Sequence, residues 1–329
     1  MSGLAIIGAG AWGTALASAA RRAGTDATIW ARDPAVAGAI NERHENPVYL
    51  PGIALDPALR ATPDLLAAVT GGEAALLVVP AQFLRPVLAS LAPHLPPGMP
   101  LLLCAKGIEI GSLQTMSEVA ATLCPGHSLA VLSGPSFAAE VARDLPTAVT
   151  IASGDPIVAQ FFATALGSAR FRPYLSEDPI GVELGGAVKN VLAIACGIVD
   201  GLRLGDNARA ALITRGLAEM TRLGVAKGAR AETFAGLSGL GDLVLTCGGA
   251  QSRNHALGVA LGRGQSLGDA LAGRRSVVEG VASAASVAAL AARRGVEMPI
   301  VAAVEAVLHR GMAIAPMIEG LLARPRRFE

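Results

Sequence analysis

The stretch that decides the fold is Leu4-Ala5-Ile6-Ile7-Gly8-Ala9-Gly10-Ala11-Trp12-Gly13, near the start of the 329-residue chain. Four apolar residues run into a G-x-G-x-x-G turn, and the alanine-rich residues 14–23 follow as a predicted helix. Gly8 permits the tight turn, Gly10 lets the backbone approach a pyrophosphate, and Gly13 allows the helix to pack closely on the strand. The helix N-terminus offers free N–H groups and the positive end of a dipole to phosphate. Because a strand precedes the turn and a helix follows it, the stretch predicts a dinucleotide site rather than glycines that serve packing alone.

Short apolar runs alternate with helical ones through the first half of the chain, which is typical of a doubly wound parallel sheet. Further strands are predicted at residues 27–30, 75–79, 101–104, 129–132 and 148–152, and residues 46–52, which contain two prolines, as a loop. From about residue 179 the strand-like runs stop and helical stretches follow. The fold class predicted is α/β, with a Rossmann-like dinucleotide-binding domain over residues 1–185 and an all-helical substrate-binding domain over residues 186–329.

Composition argues against several classes of protein. Charged residues make up 16% and hydrophobic residues 52%, which indicates a folded chain with little disorder, and the net charge of +1 gives no reason to expect nucleic acid as a partner. The apolar runs are either broken by prolines or too short, as at residues 191–199, so we expect no membrane span. We also expect no signal peptide ahead of the first strand. The four cysteines and five histidines are scattered, which favours reduced thiols in the cytoplasm and predicts no metal site.

Lysine is rare in this chain: only Lys106, Lys189 and Lys227 occur among 27 basic residues. Lysine differs from arginine in having a compact ammonium whose pKa falls readily on desolvation, so it can give or take a proton. Lys227 stands near an apparent helix end and needs no special role. Lys189 lies within an otherwise apolar helical run, where a charge is costly unless it is paired or functional. A structural ion pair is one interpretation; we favour a general acid/base.

Two further pairs of candidate residues are predicted from the sheet topology. Lys106 and Ser136 follow predicted strands at the carboxyl edge, where ligands of open α/β sheets bind. Arg32 and Asp33 stand about twenty residues beyond the glycine turn, where an acidic residue binds the adenosine ribose and an arginine accepts a 2′-phosphate. Both types are present, so NADP and NAD both remain open; because Arg32 comes first, we favour NADP slightly.

The helical half contains a second group of candidates. Asp242 lies among three glycines, which predicts a turn that aims its carboxylate, although an ordinary Asx turn would also explain it. Ser252 is a predicted helix cap, and the adjacent Arg253 and Asn254 would form an anion site at the helix N-terminus. Glu279 lies in the first turn of a predicted helix over residues 276–294, where the helix dipole stabilises a negative charge, so the sequence alone gives it no function.

Seven motifs stand in order: GAGAWGTA (8–15), KG (106–107), SGPSFA (133–138), GGAVKNV (185–191), GLGDLVLTC (239–247), QSRN (251–254) and VEG (278–280). Together they closely resemble bacterial NAD(P)-dependent glycerol-3-phosphate dehydrogenase, over essentially the whole chain. The resemblance implies reversible hydride transfer between NAD(P)H and dihydroxyacetone phosphate, giving sn-glycerol 3-phosphate for phospholipid synthesis. We also expect a cytoplasmic homodimer.

The resemblance also implies a set of site residues. Lys189 would give or take the proton, and Lys106 and Asp242 would assist it. Substrate contacts are implied at Lys106, Gly134, Ser136, Lys189, Asn190, Asp242, Thr246, Ser252, Arg253 and Asn254. Cofactor contacts are implied at Gly8, Gly10, Ala11, Trp12, Gly13, Arg32, Tyr49, Lys106, Ala138, Arg253, Val277 and Glu279. The chain departs from the family at Ala11, often serine, and Ala139, often lysine, and the first departure puts one phosphate contact in doubt.

Two alternative functions follow from the same residues. A related two-domain reductase of hydroxy or keto acids would share the fold, but a carboxylate substrate would not need so extended an anion site around Arg253. A dinucleotide sensor without catalytic activity would have no use for Lys189 in an apolar helix or for Asp242 among glycines.

Overall fold

A computed structural model of the chain, which describes residues 3–273 and 277–325, places an eight-stranded sheet in the N-terminal half. The strands, in chain order, are β1 (Gly3–Ile7), β2 (Asp26–Trp30), β3 (Glu45–Asn46), β4 (Leu50–Ala54), β5 (Arg60–Thr62), β6 (Gly72–Leu77), β7 (Leu101–Leu103), β8 (Leu129–Ser133), β9 (Thr147–Ala152) and β10 (Phe171–Ser176). Their order across the large sheet is β10-β9-β8-β7-β6-β1-β2-β5, and β3 and β4 pair separately. Within this sheet the described pairings are parallel except β8 with β9.

Helices cover both faces of the sheet and form the C-terminal half. In chain order they are α1 (Ala11–Arg22), α2 (Pro34–Arg43), α3 (Leu65–Val69), α4 (Leu84–Leu91), α5 (Met116–Leu123), α6 (Ala138–Ala142), α7 (Pro156–Leu166), α8 (Pro179–Gly201), α9 (Asp206–Lys227), α10 (Asp242–Gly248), α11 (Arg253–Gly262), α12 (Leu267–Leu271), α13 (Glu279–Arg293), α14 (Pro299–His309) and α15 (Ile314–Leu322). This arrangement confirms the predicted fold class, a Rossmann-like sheet followed by helices. The predicted start of α13 at residue 276 lies outside the described residues.

Two parts of the sequence prediction need correction. Residues 46–52, predicted as a loop, contribute to the antiparallel pair β3–β4. Pro51 is tolerated there because a two-stranded ribbon leaves one edge of each strand unpaired and therefore needs no N–H on that side. The strands β5 and β10 were not predicted, because β5 has only three residues and β10 carries an arginine and a proline. Both lie at the edges of the sheet, where such residues are accepted.

Helix α8 is the centre of the helical half. Every residue from Gly181 to Val199 is buried, and α9, α10, α11, α13 and α14 pack around it. Its length and apolarity would suit a membrane span, but its most apolar window lies wholly inside the protein, which is what a core helix requires. The predicted domain boundary at residues 185/186 falls within α8 and stays a prediction.

The closest helix packing brings α11 against α8. A Cβ built on Gly197 would lie 2.1 Å from the His255 carbonyl oxygen, and one built on Gly258 would lie 2.1 Å from the Ile194 carbonyl oxygen. The two backbones are therefore in direct contact, which only glycine permits at these positions. This contact fixes the N-terminus of α11 beside the middle of α8.

Candidate active site

The glycine turn between β1 and α1 forms the first part of the site. Gly8 has a φ of 126°, and a Cβ built on Gly13 would lie 1.9 Å from the Gly8 carbonyl oxygen. These two glycines therefore have the conformational roles predicted for them. A Cβ on Gly10, the N-cap of α1, would meet no heavy atom within 4 Å. The space beside Gly10 suits the close backbone approach of a pyrophosphate, so the turn fits a dinucleotide.

A buried asparagine that the sequence did not reveal supports this turn. Asn46 Nδ2 donates to the Ala9 carbonyl oxygen at 2.9 Å and to Thr14 Oγ1 at 2.8 Å, so β3 braces both the turn and α1. Trp12, within the turn, has a buried indole Nε1 without a hydrogen-bond partner in the described structure. An Asn in a predicted proline-bounded loop carried no signal of this role.

The candidates at the end of β2 have different surroundings. Asp33 is the N-cap of α2, and its Oδ1 accepts a hydrogen bond from Ala35 N at 2.9 Å. Arg32 beside it is exposed, and so is Tyr49 at the β3–β4 hairpin. Capping occupies one carboxylate oxygen of Asp33, while the Arg32 side chain extends into solvent.

The second part of the site is a buried cluster of two lysines and one carboxylate. Lys106 Nζ lies 2.7 Å from Asp242 Oδ2, and Lys189 Nζ lies 2.5 Å from Asp242 Oδ1. Asp242 is 1% and Lys189 6% exposed. Lys189 also donates to Thr246 Oγ1 at 3.0 Å, and the Thr246 hydroxyl donates to the Asp242 carbonyl oxygen at 2.6 Å. The structure thus brings together the three residues predicted as catalytic.

Burial and charge set the protonation of this cluster. Burial lowers the pKa of Lys189 to about 7; the Asp242 carboxylate opposes this shift and the Lys106 ammonium adds to it. Burial disfavours the charged form of Asp242, but the two lysines outweigh it and hold the pKa of Asp242 below its ordinary value. Two ammonium groups and one carboxylate leave a net positive charge, which suits a substrate that develops negative charge.

Three distant segments supply this cluster. Lys106 follows β7, Lys189 lies in the middle of α8, and Asp242 is the first residue of α10. The prediction of a turn around Asp242 is wrong: a π-helical turn, Leu237–Gly241, leads directly into α10. The glycines here do not break the helix. Gly239 instead serves close packing, since a Cβ on it would lie 2.1 Å from the Phe234 carbonyl oxygen, and Gly185 of α8 packs against the same turn, where its Cβ would lie 2.3 Å from the Ser238 carbonyl oxygen.

The loop after β8 lies next to the lysines. The Gly134 carbonyl oxygen accepts hydrogen bonds from Lys106 Nζ at 3.1 Å and from Ser136 Oγ at 2.9 Å. Gly134 has a φ of 135°, so this loop conformation favours glycine. Ala138 begins α6 just beyond it.

A chain of side-chain amides joins the helices around the cluster. Asn190 Nδ2 donates to the Gly186 carbonyl oxygen at 3.3 Å and to that of Lys106 at 3.4 Å. Asn254 Nδ2 donates to Asn190 Oδ1, and Gly280 N donates to Asn254 Oδ1, both at 2.9 Å. These bonds hold α8, α11 and α13 in register at the site.

The N-terminus of α11 carries the remaining candidates. Ser252 is its N-cap and accepts from His255 N at 3.2 Å, as predicted, and Arg253 is exposed beside it. Glu279 is partly buried; desolvation raises its pKa to about 7, opposed by the hydrogen bond from Ala81 N and by the charge of Arg253. Val277 is partly exposed just before it. Within residues 3–273 and 277–325, no group of three His, Cys, Asp or Glu side chains is arranged to hold a metal ion.

Known proteins match this chain along its length. The family model described as NAD-dependent glycerol-3-phosphate dehydrogenase N-terminus matches residues 3–159, and the corresponding C-terminus model matches residues 178–319. Glycerol-3-phosphate dehydrogenase [NAD(P)+] of Rhodospirillum rubrum is 60% identical over 326 residues, covering 99% of this chain and 93% of the relative. The protein of the same name from Caulobacter vibrioides is 57% identical, covering 98% of each chain. The crystal structure of glycerol-3-phosphate dehydrogenase from Coxiella burnetii superposes with a TM-score of 0.94 at 42% identity, covering 98% of this chain and 99% of that one.

Proposed function

The chain belongs to the NAD-dependent glycerol-3-phosphate dehydrogenase family, and we propose that Lys189 is the general acid/base of its reaction. The protein is an oxidoreductase that interconverts dihydroxyacetone phosphate and sn-glycerol 3-phosphate with NAD(P)H, which supplies glycerophospholipid synthesis. The observation that carries the proposal for Lys189 is its buried ammonium, 2.5 Å from Asp242 Oδ1 and close to a second lysine. The alternatives of a related acid reductase and of a sensor gain no support from these relatives.

The residues of the cluster would act on the carbonyl that is reduced. The dinucleotide supplies or accepts the hydride when it is bound. Addition of a hydride to a ketone leaves charge on the oxygen, which needs a proton and nearby positive charge. Lys189 donates that proton, and Lys106 provides a second positive charge. In the reverse direction neutral Lys189 takes the proton of the alcohol, and Asp242 keeps both ammonium groups oriented throughout.

The other predicted contacts extend this proposal. Arg253, exposed at the first residue of α11, would hold the substrate phosphate together with free N–H groups of the helix N-terminus. Asn190 and Asn254 would fix the position of that helix relative to Lys189. The glycine turn, with its open space at Gly10, would hold the cofactor pyrophosphate through backbone N–H groups, so the alanine at position 11 need not cost the phosphate site.

The finer points of cofactor choice, assembly and location are also proposals. A slight preference for NADP is supported by the exposed Arg32 and by the use of Asp33 as a helix cap. A cytoplasmic location is supported by four buried cysteines that are all free thiols. We keep a homodimer as a prediction, along with the division into residues 1–185 and 186–329.

The pH dependence of both reaction directions tests the role of Lys189. Reduction of the ketone requires protonated Lys189, so kcat/KM should be level below its pKa of about 7 and fall about tenfold per pH unit above it. Oxidation of glycerol 3-phosphate requires the neutral amine, so kcat/KM should rise as pH approaches 7 and then level off. Cofactor absorbance at 340 nm, followed with each substrate from pH 5.5 to 9, measures both profiles. Profiles that run in parallel in the two directions would contradict the assignment.

A further inference from the structure

The Ser133 hydroxyl, beside the lysine–carboxylate cluster, has no hydrogen-bond partner in the described part of the chain. Ser133, at the end of β8, is 1% exposed, and its Oγ makes no hydrogen bond within the described residues. A buried hydroxyl without a partner destabilises the folded state, so native proteins rarely retain one without a reason. The serine stands in the SGPSFA motif, but none of the predicted contacts uses it.

The position of this hydroxyl places it beside the side chain of Lys106, a member of the cluster. A Cβ built on Gly186 would come within 2.9 Å of Ser133 Oγ and 3.3 Å of Lys106 Cγ, so the hydroxyl and the Lys106 chain flank the same point of α8. That point is one helical turn before Lys189. The next residue in the chain, Gly134, holds the Lys106 ammonium through its carbonyl oxygen. Ser133 therefore lies next to the Lys106 side chain and about one helical turn from Lys189.

The polar groups of the lysine–carboxylate cluster and of the two asparagines beside it already have hydrogen-bond partners. The ammonium groups are donors only. Both Asp242 oxygens accept from lysines, Asn190 Oδ1 accepts from Asn254, and Asn254 Oδ1 accepts from Gly280 N. Ser133 Oγ, by contrast, keeps its proton and both lone pairs unused.

One group of the substrate matches a hydroxyl that can both donate and accept. Dihydroxyacetone phosphate carries a phosphate and a carbonyl, for which cations and N–H donors suffice, and a free hydroxymethyl group that must both donate and accept. We propose that Ser133 is a substrate-binding residue whose hydroxyl pairs with this hydroxymethyl group, directly or through one water. The inference rests on the proposed function, because it takes triose phosphate as the substrate.

Two variants and two substrates test the proposal. Acetol phosphate replaces the hydroxymethyl group of dihydroxyacetone phosphate by methyl. Ser133→Ala should lower kcat/KM for dihydroxyacetone phosphate about tenfold and change it less than about twofold for acetol phosphate, since one hydrogen bond is lost with the first substrate only. Because Ser133→Ala removes an unpaired hydroxyl, its thermal midpoint should equal or exceed that of the wild type.

Ser153 provides the matched control. It is also a buried serine, 2% exposed at the end of β9, but its Oγ donates to the Leu129 carbonyl oxygen at 2.7 Å and accepts from Asp155 N at 3.1 Å. Ser153→Ala should therefore lower the thermal midpoint and leave the ratio of the two kcat/KM values unchanged. If Ser133→Ala fails to fold, the near-isosteric Ser133→Cys should show the same selective loss, because a thiol is a weak hydrogen-bonding group.

The outcomes separate the two proposals. An equal loss for both substrates in the Ser133 variants, or a lower thermal midpoint with an unchanged substrate ratio, would overturn the assignment of Ser133. A wild-type protein that reduces neither substrate with NADPH or NADH would instead contradict the proposed function.

Discussion

The glycine turn and the lysine–carboxylate cluster, the two parts of the proposed site, are built in opposite ways. The turn is a continuous stretch of six residues, Gly8 to Gly13, whose geometry depends on backbone conformation and on missing side chains. The cluster joins Lys106 to Asp242, 136 positions apart, and its chemistry depends on burial and charge. The proposed cofactor turn therefore comes from a local motif, whereas the proposed acid–base cluster requires the complete tertiary fold.

The largest expected effect is the loss of activity when the charge of Lys189 is removed. Lys189→Met keeps the length of the side chain but loses the proton donor, so kcat for ketone reduction should fall about 10²- to 10⁴-fold. Asp242 keeps Lys106 as a partner at 2.7 Å, so the variant should fold and bind cofactor. Steady-state kinetics, thermal melting and cofactor titration of the same preparation measure the three properties.

Lys227→Met is the matched control, since Lys227 also has a mostly buried side chain and pairs with Glu118 at 2.7 Å. This pair joins α9 to α5 and has no part in the proposed chemistry. Its loss should lower the thermal midpoint and leave kcat within about twofold, because the effect is confined to one ion pair. A Lys189→Met enzyme as active as the Lys227 variant would refute the role of Lys189.

Alanine substitutions at two glycines of the turn should change different properties, the stability of the fold at Gly13 and the binding of cofactor at Gly10. Gly13→Ala places a methyl group where the Cβ would lie 1.9 Å from a backbone oxygen, so it should destabilise the fold by about 3 kcal/mol. Gly10→Ala adds the same methyl group into open space, so the free energy of unfolding should change by less than about 0.5 kcal/mol. The KM for NADPH should nevertheless rise about tenfold or more for Gly10→Ala, because the methyl group occupies the approach of the pyrophosphate. Urea unfolding and cofactor titration distinguish the two; equal destabilisation by both variants would show that the turn has no open side.

Sequence reasoning was sufficient for the fold where the signal is local. The apolar runs and glycine spacing of β1 and α1 predict both elements, because a buried parallel strand and a phosphate-binding turn each have their own pattern. The short β5, the proline-containing β4 and β10, and the antiparallel pairing of β8 with β9 were missed. In each of them, hydrogen bonds to a partner strand outweigh the propensity of the strand's own residues, and for all but β4 that partner is distant in the chain.

The residues of the candidate site were predicted only in part. Lys189 was identified because a charge in an apolar run has a physical cost, Lys106 because it follows a strand at the carboxyl edge, and Asp242 because of its glycine neighbours. The structure brings the three together. The roles of Asn46 and Ser133 were not predicted. Asn46 supports the turn through hydrogen bonds to residues more than 30 positions away. Ser133 is distinguished only by a buried hydroxyl that has no hydrogen-bond partner among the described residues. Neither property can be read from a single sequence.

The smallest predicted effect is a change in cofactor preference at Arg32, whose charge is exposed and not buried. Arg32→Ala should raise the KM for NADPH about tenfold and that for NADH less than twofold, because only NADPH carries a 2′-phosphate for the guanidinium. The effect should shrink as salt rises from 0.05 to 0.5 M, since exposed charges are screened while the buried lysine cluster is not. Arg43→Ala, at the other end of α2 and paired with Glu45, is the control and should leave both KM values unchanged. Equal losses with the two cofactors would assign Arg32 to the shared part of the dinucleotide, and the preference for NADP would then need another source.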